Sequence, residues 1–289
     1  MVELRLSRKE EAGAQKELWK EAFGDTDEDI ELFYGQCWRP SETLLLLEDG
    51  HLACMTALLP HTLSGAGGET LSACYVYALA TAKALRGRGH AKRLLAAADD
   101  LLQKRGVDCA TVVPAQASLH RFFEASGFQP CFCTQRSVLS PGGIPAPAPA
   151  DRLAEVGPRE YAALRSRCLE GVPAARYPLR LLEFQLGMCR LSGGGLYRLD
   201  VEGASGCAAA EYREERLVLK ELLLPCRGRL ARALALLAQA LPAGSYEVRG
   251  PAGRQELGGE IWEFGRIKWY HPDKAARFGR RGYFGLGFD

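Results

Sequence analysis

Several common features are missing from this 289-residue sequence. It has no apolar run approaching the roughly 18 residues that cross a bilayer, and its N-terminus lacks the apolar core of a secretory signal. The formal net charge is only +2 at pH 7, so no global electrostatic argument favours nucleic acid. We therefore expect a cytoplasmic protein with neither a membrane nor a nucleic acid as partner.

The ten cysteines are scattered and include no Cys-x-x-Cys pair. In a long chain without a secretory signal, this pattern argues against a disulfide framework and for core or surface thiols. Cys131 and Cys133 would share one face of a strand, as a metal pair does. Because no second pair of ligands lies nearby, we expect no metal site.

The clearest break in the chain is the segment 141–150, which contains four prolines and two glycines. Such a segment continues neither a helix nor a central strand and behaves as an extended spacer. It predicts a linker between an N-terminal domain at 1–140 and a C-terminal domain at 151–289. A long surface loop within one domain is the alternative.

The pattern of apolar residues predicts an α/β fold. Ser7 with Glu10, and Thr26 with Asp29, have the spacing of helix capping boxes. Asp49-Gly50 between apolar runs predicts a hairpin. The predicted strands and helices that follow are strands at 43–48, 51–63 and 69–81, a helix at about 88–104, a strand at 109–114, a helix at 118–125 and a strand at 131–139. This order indicates a mixed, mostly antiparallel sheet flanked by helices. The second half repeats it, with three strands, a helix at about 230–241 and a further strand.

A glycine-containing loop, Arg86-Gly87-Arg88-Gly89-His90-Ala91, joins the apolar strand ending at Thr81 to the long helix. Free amides and the helix dipole favour an anion at such a helix start, and glycine allows close approach. The two arginines add positive charge, so a diphosphate fits; an empty tight turn is the alternative. The Walker motif is absent, and Lys92 stands where the Rossmann motif needs its third glycine.

The pattern Arg86-x-x-Gly89-x-Ala91 resembles the Arg/Gln-x-x-Gly-x-Gly/Ala signature of the GNAT superfamily of N-acetyltransferases. The flanking elements and the pair Gly127-Phe128 after an aromatic-bearing helix also follow that family's order, over about residues 1–140. The resemblance implies a GNAT fold, acetyl-CoA as co-substrate, no metal, and transfer of the acetyl group to a primary amine of a small molecule or protein. An oligomer is compatible with it.

The resemblance also implies contacts with coenzyme A. The strand backbone would pair with the pantetheine arm, the loop amides would hold the pyrophosphate, and a strand N–H would polarise the acyl carbonyl. The implied cofactor-binding residues are Leu79, Ala80, Thr81, Arg86, Gly87, Arg88, Gly89, His90 and Ala91.

One position departs from the family pattern. Phe123 stands where the family often has a tyrosine that protonates the leaving thiolate, and phenylalanine has no proton to donate. The remaining candidates are His120, Tyr77 and, by analogy with a terminal carboxylate in a related family, Asp289; Tyr75 and water also stay open. The departure makes a catalytically impaired acyl-CoA-binding protein, with a regulatory or structural role, the alternative to an enzyme.

The general base is unassigned. The acidic candidates lie in the early helical region and are Asp25, Asp27, Glu28, Asp29 and Glu31. Each is equally explained as a solvated carboxylate at a helix start. His61, near the end of a predicted strand, is similarly open.

The segment Arg227-Gly228-Arg229-Leu230 echoes the first loop, but Leu230 replaces Gly89 and its side chain would block close phosphate approach. We expect a second, degenerate GNAT-like domain; chance similarity is the alternative. The arrangement resembles the tandem domains of the enhanced-intracellular-survival family of aminoglycoside acetyltransferases, without their sterol-carrier-like domain. A purely structural tandem scaffold is a further alternative.

Overall fold

The computed structural model describes residues 1–254, 256–279 and 281–288. The strands are β1 (Val2–Leu6), β2 (Thr43–Glu48), β3 (His51–Ser64), β4 (Thr70–Thr81), β5 (Cys109–Val112), β6 (Gln129–Leu139), β7 (Arg152–Glu155), β8 (Ala174–Arg176), β9 (Gly195–Val201), β10 (Ala204–Arg213), β11 (Arg216–Leu223), β12 (Ser245–Pro251) and β13 (Glu260–Trp269). The α-helices are α1 (Ala12–Phe23), α2 (Asp27–Gln36), α3 (His90–Lys104), α4 (Ala117–Ala125), α5 (Pro158–Cys168), α6 (Leu179–Leu191), α7 (Leu230–Ala240) and α8 (Pro272–Phe278).

The described residues fall into two units, and neither is continuous in sequence. The first contains Met1–Thr62, Thr70–Pro130 and Gly265–Ala276. The second contains Leu63–Glu69, Cys131–Phe264 and the C-terminal stretch from Arg277. The predicted division at 141–150 follows chain order, whereas these units interleave along the chain.

The first unit contains a mixed sheet with the strand order β1-β2-β3-β4-β5-β13. β1 with β2, β2 with β3, and β13 with β5 pair antiparallel, whereas β4 and β5 run parallel. Leu94, Leu95, Ala98 and Leu102 lie on one face of α3 and are buried in the core of this unit. This spacing is that of an amphipathic helix packed on a sheet.

The second unit repeats this arrangement with the order β6-β12-β11-β10-β9-β7. β11 and β12 are parallel, and the helix between them, α7, buries Ala233, Leu234 and Leu237 in the core. In each unit a run of antiparallel strands leads through a helix to a strand parallel to the last of them. The predicted fold class, α/β with a mixed and mostly antiparallel sheet flanked by helices, is confirmed.

Two local predictions near the N-terminus are confirmed. Asp49 and Gly50 join β2 to β3 with φ values of 52° and 82°, which a two-residue hairpin turn requires. Thr26 caps α2, because its Oγ1 accepts from the Asp29 amide at 3.2 Å and the Asp29 carboxylate accepts in return from the Thr26 amide.

The predicted capping box of Ser7 with Glu10 is wrong. Residue 7 still belongs to the sheet edge, since its amide donates to the Thr43 carbonyl directly after the β1–β2 pairing. The Ser7 hydroxyl accepts from the Gln15 side chain at 2.6 Å, and α1 begins only at Ala12. The hydrogen bonding between β1 and β2 therefore continues to the residue that the local sequence predicted as a helix start.

Among the described residues, no helix is long and apolar enough to span a membrane.

Candidate functional site

β4 and β5 are paired over only part of their length. The pairing runs from Ala73 with Cys109 to Tyr75 with Thr111, while β4 continues to Thr81. Within this continuation Ala78 has a φ of 50°, a left-handed value that costs a non-glycine residue about 1–2 kcal/mol. The end of β4 thus projects beyond the paired region, with a local irregularity of the kind often found beside active sites.

The loop after β4 leads into the N-terminus of α3. Gly87 and Gly89 have φ values of 81° and 80°, which glycine adopts without strain. Gly89 is the residue before the first helical turn, and no described side chain caps it. No described atom lies within 4 Å of where a side chain would begin on either glycine. The result is an open helix N-terminus, whose free amides and dipole suit an anion.

The arginines of the loop contact neighbouring elements. Arg86 donates from Nε to the Thr81 carbonyl at 3.2 Å, which ties the loop to the end of β4. Arg88 Nη1 lies 3.3 Å from Oε2 of Glu48, the last residue of β2. The nine residues implied to contact coenzyme A therefore lie together at one end of β4 and the start of α3.

His90 differs from its neighbours in the loop because it is buried, with 3% exposure. Neither of its ring nitrogens has a hydrogen-bond partner in the described chain, and Nε2 lies 3.6 Å from Oε2 of Glu48. Sequence reasoning missed Glu48, because it is distant in sequence from the loop and only the pairing of β1, β2 and β3 brings it there.

The two described catalytic candidates are held by contacts within the first unit. Tyr77 is half-buried, with its ring 5.8 Å from that of Trp19 and 5.6 Å from that of Phe33. His120 on α4 has Nδ1 3.4 Å from Nη1 of Arg266. Because a guanidinium only donates, this contact makes Nδ1 the acceptor and puts the ring hydrogen on Nε2. The third candidate, Asp289, lies outside the described residues.

Phe123 belongs to the core. It is 4% exposed and packs edge-on against Phe122 and Phe128, with ring centroids 5.2 and 5.6 Å apart. The Phe123 side chain therefore contributes to the hydrophobic core. It has no proton to donate to a leaving thiolate.

Most acidic candidates for the general base already have partners. Asp25 accepts from the Trp19 indole at 2.7 Å, and Asp27 pairs with Lys20 at 2.7 Å. Glu31 pairs with Lys16 at 2.6 Å, and Asp29 accepts from the amide and the hydroxyl of Thr26, the N-cap of α2. These contacts favour the interpretation of this region as a solvated, acid-rich helix start.

His61 is a buried histidine of β3. Its Nε2 lies 3.4 Å from the Thr111 hydroxyl, and burial lowers its pKa to about 4. The imidazole is therefore neutral near pH 7, with its ring in the interior of the first unit.

The cysteine pair of β6 does not extend to a metal cluster among the described residues, where no group of three or more histidine, cysteine or acidic side chains is suitably placed. Burial raises the pKa of Cys131 to about 12, which keeps it a thiol. Thiols bind metals weakly until they are deprotonated.

Comparisons with known proteins identify a domain in the N-terminal part of the chain. Residues 3–130 match the family profile described as an acetyltransferase (GNAT) domain. No curated protein sequence matches the chain.

Solved structures share the fold at low sequence identity. A probable N-acyltransferase from Enterococcus faecalis superposes with a TM-score of 0.73 at 15% identity, covering 94% of this chain and 73% of its own. A GCN5-related N-acetyltransferase from Anabaena variabilis gives 0.73 at 11% identity, covering 92% and 72%. Eis1 from Mycobacterium abscessus gives 0.65 at 13% identity, covering 93% and 73%. Residues 3–130 are therefore a GNAT acetyltransferase domain, and the chain shares the fold of these solved structures.

Proposed function

We propose that the protein is an acetyl-CoA-dependent N-acetyltransferase that transfers an acetyl group to a primary amine of a small molecule or protein. The observation that carries this proposal is the open N-terminus of α3 beside the end of β4, which extends beyond its pairing with β5. The loop combines two left-handed glycines with no side-chain cap at Gly89 in the described chain, so no side chain occupies the start of α3 as a cap. A pyrophosphate is the anion that a family member would place there.

Different residues around the loop would bind different parts of acetyl-CoA. The backbone of residues 79–81 would pair with the pantetheine arm, while the amides of Arg86–Ala91 would hold the pyrophosphate. Bound acetyl-CoA supplies a thioester whose acyl carbon the amine attacks, with the thiolate leaving. A backbone N–H near Ala78 would polarise the acyl carbonyl, since this part of β4 extends beyond its pairing with β5.

Protonation of the thiolate needs a group other than Phe123. Tyr77 carries a hydroxyl on the same strand, next to Ala78, and is our first candidate; His120 is the second. The core position of Phe123 also favours a second function, in which the protein binds acyl-CoA in a regulatory or structural role without efficient turnover. In either case we propose the second half, 151–289, as a degenerate domain joined through 141–150.

Calorimetric titration of the full chain with acetyl-CoA tests the binding step. Gly89→Glu should raise the Kd at least about a hundredfold, since a carboxylate would lie against the pyrophosphate. Gly106→Glu is the matched control, because Gly106 has a φ of 69° at the opposite end of α3 and equally open surroundings. Equal affinity in the wild type and the Gly89 variant would place the ligand elsewhere, and no binding by the wild type would refute both functions.

A thiol-release assay over a panel of primary amines then separates the two functions. Release of coenzyme A from acetyl-CoA that depends on the presence of any of these amines supports the transferase. Tight binding without release on small amines, polyamines, aminoglycosides and lysine peptides supports the binding protein.

A further inference from the structure

Two cysteines of the second unit meet where α5 ends on β10. Cys168 is the last residue of α5, which packs on β10. Its sulfur lies 3.6 Å from the Leu223 carbonyl oxygen and 3.8 Å from the Ser205 carbonyl oxygen. Cys207 follows Ser205 by two residues on β10 and is the pairing partner of Leu223 on β11. The two carbonyl groups that contact the Cys168 sulfur therefore flank Cys207.

The Cys207 side chain lies on the face of the sheet that α5 covers. The next residue, Ala208, packs on the other face, in the core that contains α7. On the α5 face, Glu221 of β11 accepts from Nε of Arg165 at 2.7 Å. Because successive residues of a strand point to opposite faces, Cys207 points toward α5 and the Cys168 sulfur.

The contact between the two thiols changes the acidity of Cys168. The Cys207 thiol donates a hydrogen bond to the Cys168 sulfur, which lowers the pKa of Cys168; burial opposes this shift, and Arg167 and Arg165 add to it. Burial instead raises the pKa of Cys189, in the same unit, to about 12. Since the thiolate is the nucleophile, Cys168 is the more reactive of these two buried thiols.

A cavity of about 230 Å³ connects Cys168 with the surface. Its lining includes Cys168, Leu223, and the exposed side chains of Arg227 and Arg254. Arg254 also donates to the Cys168 carbonyl at 3.4 Å. A water molecule takes about 30 Å³ in the liquid, so the cavity admits a small polar molecule of a few heavy atoms. Cys168 is 2% exposed at the outer surface, and the cavity is its route to solvent.

We propose that Cys168 is an oxidation site for a small hydroperoxide and that Cys207 converts the product to a disulfide. The Cys168 thiolate attacks a peroxide oxygen, the O–O bond breaks, and the sulfur becomes a sulfenic acid while hydroxide leaves and is protonated to water. The Cys207 sulfur then attacks the sulfenic sulfur, the S–O bond breaks, and the leaving hydroxide takes the Cys207 proton as a second water. The two thiols are oxidised and the peroxide is reduced. This inference does not depend on acetyl-CoA binding.

The test is a map of cysteine oxidation in the full chain. The protein is treated with hydrogen peroxide, the remaining thiols are alkylated in denaturant, and the peptides are identified by mass spectrometry. We expect a disulfide between Cys168 and Cys207 that dithiothreitol reverses, formed at least about tenfold faster than Cys189 is oxidised, since each pKa unit changes the thiolate content about tenfold. Alkylation of both Cys168 and Cys207 after excess peroxide, or oxidation of Cys189 at the same rate, overturns the proposal.

Variants separate the roles of the two thiols. Cys207→Ser keeps a hydrogen-bond donor but removes the second thiol, so the sulfenic acid of Cys168 should persist and be trapped by dimedone; absence of the adduct overturns the assignment. Cys168→Ser should leave Cys207 reduced, and its oxidation there contradicts the order of the two steps. Cys189→Ser, at a buried cysteine of the same unit, is the matched control and should form the disulfide as the wild type does. Loss of the disulfide in that control counts against the pair.

Discussion

The carboxylate of Glu48 lies 3.3 Å from the guanidinium of Arg88 and 3.6 Å from Nε2 of His90. A negative charge thus sits beneath the loop that we propose for the pyrophosphate. It holds the loop in place, but it also competes with an anionic ligand for Arg88. The first effect of Glu48 should strengthen ligand binding and the second should weaken it. Removing the charge of Glu48 shows which effect is larger.

Glu48→Gln should tighten acetyl-CoA binding roughly two- to fivefold, the scale of one exposed ion pair. The amide keeps the size of the side chain but carries no charge, so Arg88 is held less strongly and can turn toward the phosphates. Titration at two salt concentrations should show a smaller gain at high salt. Glu3→Gln, which removes an exposed carboxylate paired with Arg5, should leave the Kd unchanged. Weaker binding by the Glu48 variant would mean that holding the loop outweighs competition.

Phe123→Tyr should not restore an acid. The ring packs among buried aromatic side chains, so an added hydroxyl would lie in the core without a partner, at a cost of about 1–3 kcal/mol. Urea unfolding should show this loss, with no gain in the rate of thiol release. Phe122→Tyr, at a half-buried neighbouring position, should cost less. A tenfold gain in turnover for Phe123→Tyr would show that the ring reaches the thiolate after all.

His61 should make the first unit sensitive to acid. Its folded pKa is about 4, below its ordinary value of 6.5, because burial disfavours the charged form. The unfolded chain therefore takes up the proton first as pH falls. The free energy of unfolding is therefore unaffected by protonation of His61 above pH 6.5. Between pH 6.5 and 4 it falls, by at most about 3 kcal/mol from this residue.

Urea unfolding at several pH values checks this through a difference between variants. His61→Asn should lose less stability over that interval than the wild type. His51→Asn removes an exposed histidine from the same strand and should follow the wild-type profile. Parallel profiles for all three proteins would show that His61 does not govern the acid sensitivity.

Asp99 connects α3 to the C-terminal part of the chain. Its carboxylate accepts from Lys268 Nζ at 2.5 Å and from the Tyr270 hydroxyl at 2.7 Å. Asp99→Ala leaves both donors without this acceptor and should lower the free energy of unfolding by about 1–3 kcal/mol. Asp100→Ala, at the exposed next position, should change it little. Equal stability of the two variants would contradict a role for this contact.

Local signals predicted the parts of the fold that local chemistry determines. Asp49-Gly50 specifies its turn because both residues tolerate left-handed φ values, and Thr26 carries its own capping partner at Asp29. The glycine loop before α3 could also be predicted, because the strand, the loop and the helix are consecutive in sequence.

Pairings that depend on distant residues were not predicted. β1 and β13 each alternate apolar and polar residues, but their pairing partners are distant in sequence. Val2–Leu6 pairs with β2, and Arg266–Trp269 pairs with β5. α6 was missed because its sequence is apolar on most sides and suits a strand as well as a helix. The contact of Glu48 with the loop before α3 depends on tertiary structure in the same way.

The pairing of β13 with β5 has a consequence for synthesis. Trp269 pairs with Cys109, yet Trp269 is made 139 residues after Pro130, where the main part of the first unit ends. At roughly 5–20 residues per second, a ribosome needs about 7–28 s to cover that interval. During that time the outer edge of β5 has no β13 beside it. The first unit is therefore completed only after most of the second has been made, and a chaperone that shields a bare strand edge would act in that interval.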